Sequence, residues 1–472
     1  MNQARSDQIA LIYPVRKLDN WWRLMGQKMN YQASYTIGDL RGDCDFNVVD
    51  DFYKFQKQYY QTPVTPNELV TCSEIEDIIA RCRLLRFLPY RLARSMVLGM
   101  AEAMNLVIEQ VKPTVVISFP IDRYVSDVLR LLAAKRGVPH HEFTVGPLAD
   151  TVMILNRGRL NVVDKPVCPK RLQKNIDDIT NKYFEPSYVQ KKSRFTKGNF
   201  CKTYFYFRLR GLVFKAISYL KRDPLNLHYL DAQSFLGHKP RLADRRVLDM
   251  VDNQWRSKLE ACPQDTRVFL GLSVFPEAAI DYWIDDLKLI EYEDLMVNIA
   301  TELSVSGFSV FIKDHPLQFG FRKANLLDRL LAIPNTVLVP YEVDGKQLIS
   351  DTAVTVTVTG TIGLEAAMIG KKAIIVENYY STPEDFIMVD SYDVKGLGQR
   401  VIDFPPPENL QQRQTRIISR LMKGSFDADY FAYLEYYEQQ KTDSSDEFSR
   451  QAKAHLDLIT EQAQREYFSR ES

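Results

Sequence analysis

The stretch Val354–Glu377, VTVTVTGTIGLEAAMIGKKAIIVE, constrains the fold of this chain more than any other. Val354, Val356 and Val358 alternate with Thr355 and Thr357, and a run of β-branched residues crowds a helix but suits a buried strand. Thr359-Gly360-Thr361 then makes a small polar turn, behind which Ile362, Ala366 and Ile369 recur at helical spacing. Gly370 is placed to stop that helix in a left-handed conformation, and Ala373-Ile374-Ile375-Val376 supplies a second apolar strand. The stretch is a βαβ unit, which implies a right-handed crossover and a parallel sheet. The turn also has chemical potential, because the first backbone N–H groups of a helix lack internal partners and can hold an anion. Such a unit is more often plain architecture than a phosphate cradle, by roughly two to one, so the turn alone does not carry the functional reading.

A second feature tips the balance. Phe308–Lys313 (FSVFIK) reads as a strand and runs straight into Asp314-His315-Pro316. That puts a lone histidine at the carboxyl end of a strand, where open α/β sheets bind ligands.

Strands and helices alternate through the rest of the chain. In the first half, Gln8–Tyr13 (QIALIY) and Thr114–Phe119 (TVVISF) read as strands. An amphipathic helix is expected over Asp122–Arg136, with Val125, Val128, Leu129 and Leu132 on one face and Gly137 as its stop, before a strand at His141–Val145. In the second half a strand at Arg267–Leu272 leads to a loop with Pro276-Glu277, a long helix from Leu287 to Gly307, the FSVFIK strand, a strand at Thr336–Val339 and the opening unit. The expected class is α/β, with two Rossmann-like, doubly wound domains facing a cleft, and 472 residues are enough for both. The expected divisions are 1–160, a helical basic-aromatic connection at 161–261, a nucleotide-binding domain at 262–405, and charged C-terminal helices at 406–472 after Pro405-Pro406-Pro407.

The net charge is only +1, which excludes a globally basic nucleic-acid binder, yet Lys165–Arg222 holds 15 Lys/Arg against 3 Asp/Glu among many Phe and Tyr. This segment reads equally as helices packed between domains and as a surface for an anionic partner: inner-leaflet phospholipid, a lipid-linked pyrophosphate or an acidic glycan. Nucleic acid is disfavoured, since no recognition motif accompanies the charge. Six scattered cysteines without ligand-like spacing read as reduced thiols, and neither a disulfide framework nor a metal site is indicated. No run reaches the length of a signal-peptide core or a membrane span, so the expected place is cytoplasmic, soluble or peripheral on the inner face of the membrane.

Candidate anion turns on one of two α/β domains suit an enzyme of nucleotide-activated substrates, in which phosphate leaves an anomeric carbon and negative charge grows on it. The donors on offer are the amides and hydroxyls of Thr359, Gly360 and Thr361, the imidazole of His315, and Lys313 two residues before it. Glu365 is placed equally well to accept from a ribose hydroxyl pair or simply to favour a helix start.

FIKDHP, followed by VTVTGTIGLEAAMIGKKAIIV, resembles the nucleotide-sugar half of GT-B glycosyltransferases of bacterial capsule and surface-polysaccharide biosynthesis. VFLGLSVFPEAA, which contains Glu277, resembles the opening of that domain. The likeness covers roughly residues 265–390, extends to the first half only in architecture, and omits the basic segment. It implies that His315 contacts donor phosphates with Lys313 nearby, that Thr359, Gly360 and Thr361 lie on the phosphate side, that Glu277 joins the donor site and that Glu365 meets the ribose. It further implies a nucleotide-sugar donor as substrate, a polysaccharide or lipid-linked acceptor, and no bound metal or other cofactor. Thr-Gly-Thr stands where relatives using cytidine-linked donors often have paired serines, which leaves the donor open. A catalytic base is expected from the first domain, with Asp122 and Glu142 as candidates, although Asp122 also suits a helix N-cap. Two alternatives share the fold: a nucleotide-sugar 2-epimerase or polyol-phosphate transferase, and a non-catalytic scaffold.

Overall fold

The computed structural model of the protein describes residues 8–14, 19–42, 44–62, 69–181, 184, 195–225, 227, 235–236, 239–240, 242–274, 277–376, 378–390, 393–431 and 444–471. Pro276 and, within the basic segment, residues 182–183 and 185–194 lie outside the described residues. The chain forms two compact units. One comprises Met1–Pro169, Pro186–Tyr188 and Ser419–Ser472, and the other Lys170–Glu185 and Val189–Ile418.

Strands of the first half are β1 (Ile9–Tyr13), β2 (Ala33–Gly38), β3 (Phe46–Asn47), β4 (Val115–Ser118), β5 (His140–Val145), β6 (Thr151–Asn156) and β7 (Arg159–Leu160). A two-stranded ribbon follows, β8 (Phe235–Leu236) with β9 (Lys239–Pro240). The second half supplies β10 (Arg267–Gly271), β11 (Ser309–Lys313), β12 (Thr336–Leu338), β13 (Val354–Thr357), β14 (Lys372–Ile375) and β15 (Ile387–Met388), and then β16 (Ser425–Asp427).

In the first unit the sheet runs β16-β6-β5-β4-β1-β2-β3. The β3-β2-β1-β4-β5 portion is parallel, as the alternation of strands and helices requires. β6 turns back antiparallel on β5, and β7 pairs antiparallel with β6 through the hairpin Asn156-Arg157-Gly158-Arg159, where Arg157 and Gly158 both take positive φ. β16 then adds antiparallel to the edge. Trp21 and Phe448 meet edge to face at 5.0 Å over this sheet, and Phe143 meets Phe426 at 5.5 Å, so the C-terminal helix Ser444–Glu471 helps to close the core. The helix after β4 begins at Tyr124 with Arg123 as its cap residue, so Asp122 lies outside it and pairs with Arg123 at 2.6 Å instead of capping.

In the second unit all pairings of the larger sheet are parallel, in the order β12-β11-β10-β13-β14-β15. This is the doubly wound order: the chain works outward from β10 in one direction, then returns to β10's other side with β13. Val268, Leu270, Val310, Ile312, Val354, Val356 and Ile374 form its buried ladder. The opening βαβ unit is present as β13, the helix Ile362–Met368 and β14, and Gly370 takes φ +82 at its stop. The long helix expected from Leu287 is divided. Asp286 accepts from Lys288 N–H to start a 3₁₀ turn at Leu287–Ile290, and the α-helix proper is Tyr292–Val305.

Candidate functional site

In a doubly wound sheet the crevice opens at the carboxyl ends of the strands that flank the reversal of order, here β10 and β13. β11 adjoins β10 on the other side, so the ends of β11 and β13 lie about 10 Å apart, two strand spacings. The sequence places chemistry on all three ends. β11 delivers Lys313, Asp314 and His315; β10 leads through Ser273 to Glu277; β13 leads to Thr359, Gly360 and Thr361.

His315 is held in one tautomer. Its Nδ1 accepts the N–H of Leu317 at 3.1 Å, so the neutral ring carries its proton on Nε2 and presents that atom as a donor. Burial, followed by the nearby Lys313 and Arg322 cations, lowers its pKa to about 4 against the opposing pull of Asp314, so the ring is neutral at physiological pH. Beneath it lies a network that the sequence reading missed. Asp314, buried, accepts from Arg322 Nη2 at 2.6 Å and Nε at 3.1 Å, from the Tyr341 hydroxyl at 2.6 Å and from the His315 N–H at 2.8 Å. Arg322 also donates to the Ser273 carbonyl at 3.0 Å, and the Tyr292 hydroxyl accepts the Ser273 N–H at 2.7 Å. The ends of β10 and β11 are thereby fixed to each other.

Lys313 does not stand free beside the histidine. It is buried, and its Nζ reaches the carbonyls of Tyr341 and Asp314 at 3.3 and 3.4 Å, while burial lowers its pKa. Its part is to hold the β11 end against the segment after β12. The Ser273 hydroxyl is buried and has no hydrogen-bond partner among the described residues, an uncommon state for a polar atom unless water or a ligand completes it. The only signal for Ser273 in the sequence was its position just beyond an apolar strand.

At the end of β13 the turn is oriented by its carbonyls. Asn378 Nδ2 donates to Thr359 O and the Tyr380 hydroxyl to Gly360 O, both at 2.5 Å. A trans peptide is planar, so fixing Gly360 O turns the Thr361 N–H the opposite way. The Gly360 N–H is bound at 3.1 Å by Thr357 Oγ1, and a Cβ at Gly360 would stand 2.7 Å from that oxygen. Glu365 is nearly buried; desolvation raises its pKa to about 7, against the lowering effects of Lys346 and of a hydrogen bond with Thr361. Glu277 lies at the start of the short helix Ala278–Asp281, its carbonyl accepting from Ile280 and Asp281.

The second unit thus brings Lys313, His315, Thr359, Gly360, Thr361 and Glu365 to one end of one sheet, with Glu277 on the loop leaving β10. Asp122 and Glu142 belong to the first unit. Glu142 is a fully buried residue of β5, whose carboxylate accepts the backbone N–H of Ile121 at 3.1 Å and of Arg157 at 2.5 Å. Burial raises its pKa to about 7. Asp122 follows β4 and is paired with Arg123.

No protein-family model matches the chain, and no curated protein matches it. Solved structures do align along most of its length. The UDP-GlcNAc 2-epimerase of Neisseria meningitidis, bound to UDP-GlcNAc, is 10% identical, with 91% of this chain and 98% of that one covered and a TM-score of 0.23. KpsC of Thermosulfurimonas dismutans, a beta Kdo 2,7 transferase, is 11% identical, with 82% and 97% covered and a TM-score of 0.32. A glycosyltransferase of Rickettsia africae is 11% identical, with 92% and 97% covered and a TM-score of 0.26. At this depth of likeness the strand order and the site carry the reading of the chain.

Proposed function

We propose that the protein is a glycosyltransferase that takes a sugar from a nucleotide-sugar donor bound at the β10/β13 crevice and passes it to a growing surface polysaccharide or a lipid-linked acceptor. The observation that carries this reading is His315, a neutral imidazole with its proton fixed on Nε2, at a strand's carboxyl end beside the reversal of strand order. Such a donor hydrogen-bonds a diphosphate weakly in the ground state and more strongly as charge builds on the departing phosphate. The Thr359-Gly360-Thr361 turn and the buried Ser273 hydroxyl, which has no partner among the described residues, supply further polar contacts, and Glu365 accepts from the ribose. The acceptor and its base come from the first unit, where Asp122 lies beyond the end of β4.

The test is incubation of the full chain with a panel of UDP-, CMP-, GDP- and CDP-sugars, with and without polysaccharide fragments, read by mass spectrometry. Release of nucleotide with one sugar added to the acceptor is expected. Conversion of a nucleotide-sugar to its epimer without acceptor would identify the epimerase instead, and failure to bind any nucleotide would remove the catalytic reading.

A further inference from the structure

The helix Lys197–Leu220 distributes aromatic and aliphatic residues around its whole circumference, with five Lys/Arg and no acidic residue among them. One side is buried. Phe200 and Phe207 meet Phe319 and Phe321 edge to face at 5.6 and 5.1 Å, and a Cβ on Gly211 would stand 2.1 Å from the Phe235 ring. Thr203 approaches Gly320, which takes φ +87 there. This side therefore grips the loop that begins at His315 and ends at Arg322.

At about 100° per residue the opposite side collects Phe205, Leu209, Leu212, Val213, Ile217 and Leu220 in one stripe. All six are exposed, Phe205 by 68%, Leu209 by 66% and Leu220 by 84%. A contiguous apolar surface of this kind marks an interaction site. Its charge identifies the partner. From Lys197 to Arg222 there are seven Lys/Arg and no Asp or Glu, and Lys202, Arg210, Lys221 and Arg222 are exposed. A second copy of the chain would set this cationic face against itself. An anionic bilayer receives the apolar stripe among its acyl chains and the cations among its headgroups. None of the described helices is long and apolar enough to cross a membrane, which leaves a helix lying in the surface.

We propose that the Phe205–Leu220 face of this helix docks on a bilayer containing anionic phospholipid, and that its other face thereby anchors the His315 loop next to that surface. The proposal stands independently of the reaction catalysed, because it rests on the exposed side chains of this helix and on none of the crevice residues.

The experiment is co-sedimentation of the full chain with vesicles of phosphatidylcholine alone and of phosphatidylcholine mixed with phosphatidylglycerol. Binding to the anionic vesicles alone is expected, and it should weaken as salt shortens the Debye length from about 10 Å at 0.1 M to about 3 Å at 1 M. Leu209→Ser/Leu212→Ser and Lys202→Glu/Arg210→Glu/Lys221→Glu should each lower the partition coefficient at least about tenfold. All these side chains are exposed, so circular dichroism melting should be unchanged. Equal partition to both vesicle types, no partition at all, or variants that bind like wild type would overturn the proposal. So would concentration-dependent self-association in analytical ultracentrifugation that Leu209→Ser/Leu212→Ser abolishes, since the face would then be a contact between copies.

Discussion

Replacing Arg322 by Met isolates the contribution of the buried network. Arg322 and Asp314 are nearly inaccessible to solvent, with side chains 2% and 1% exposed. The guanidinium makes three contacts with the carboxylate, at 2.6, 3.1 and 3.1 Å, and a fourth with Ser273 O at 3.0 Å. Methionine fills most of the same space and removes every donor. Asp314 is left with the Tyr341 hydroxyl and the His315 N–H, which do not balance a buried charge. Breaking a buried pair from one side costs about 3–5 kcal/mol. In a unit of this size each kcal/mol lowers Tm by about 2–4 °C, giving a fall of about 6–20 °C. The second unit is read separately by hydrogen-exchange mass spectrometry on peptides spanning 309–331. Removing the stranded charge as well, in Asp314→Asn/Arg322→Met, should recover at least about half of the loss, because pair and single deletions are strongly non-additive. A loss under about 1 kcal/mol for Arg322→Met, or simple additivity in the double variant, would refute the account of the network.

Glu365, with a pKa raised to about 7 by burial, should make nucleoside affinity rise as pH climbs through 7, and Glu365→Gln should flatten that profile in fluorescence titrations. Gly99→Ala gains helix propensity of about 1 kcal/mol but places a Cβ 2.7 Å from the backbone nitrogen of Gln56, so urea unfolding should show net destabilisation of about 1–2 kcal/mol. Burial lowers the pKa of His140 and His455 to about 3 and of His141 to about 4, so these rings stay neutral while the unfolded chain takes up protons below about 6.5. Their contribution to stability is complete above about 6.5 and is lost as pH falls toward 3–4, and ring NMR signals should not titrate between pH 8 and 5.

The parts of the site legible in the sequence were those written in short-range pattern. β-branched alternation marked β13, Gly370 marked the helix stop, and the FSVFIK run fixed His315 at a strand's end. The Asp314 network was not legible, because Arg322 and Tyr341 stand 8 and 27 residues away and no periodicity links them. Lys313 was read as a ligand donor from its spacing, whereas the fold turns its ammonium onto two carbonyls. β16 is three residues long and pairs with β6 across more than half the chain, a contact that local propensity does not encode. The β6–β7 hairpin did carry a signal, the Arg-Gly turn after an apolar run.

The central claim is that His315 donates from Nε2 to the phosphates of a bound nucleotide, and isothermal titration of wild type and His315→Ala with UDP, CDP and GDP and their nucleosides tests it most directly. Among the described residues the imidazole accepts a hydrogen bond from the backbone N–H of Leu317, an exposed residue, so the variant should fold. The account predicts that the tightest diphosphate loses about 10- to 150-fold in affinity, the equivalent of a hydrogen bond to a charged group at about 1.5–3 kcal/mol, while its nucleoside binds as before. Equal affinity of the two proteins for every diphosphate, or an equal loss for diphosphate and nucleoside, would contradict it.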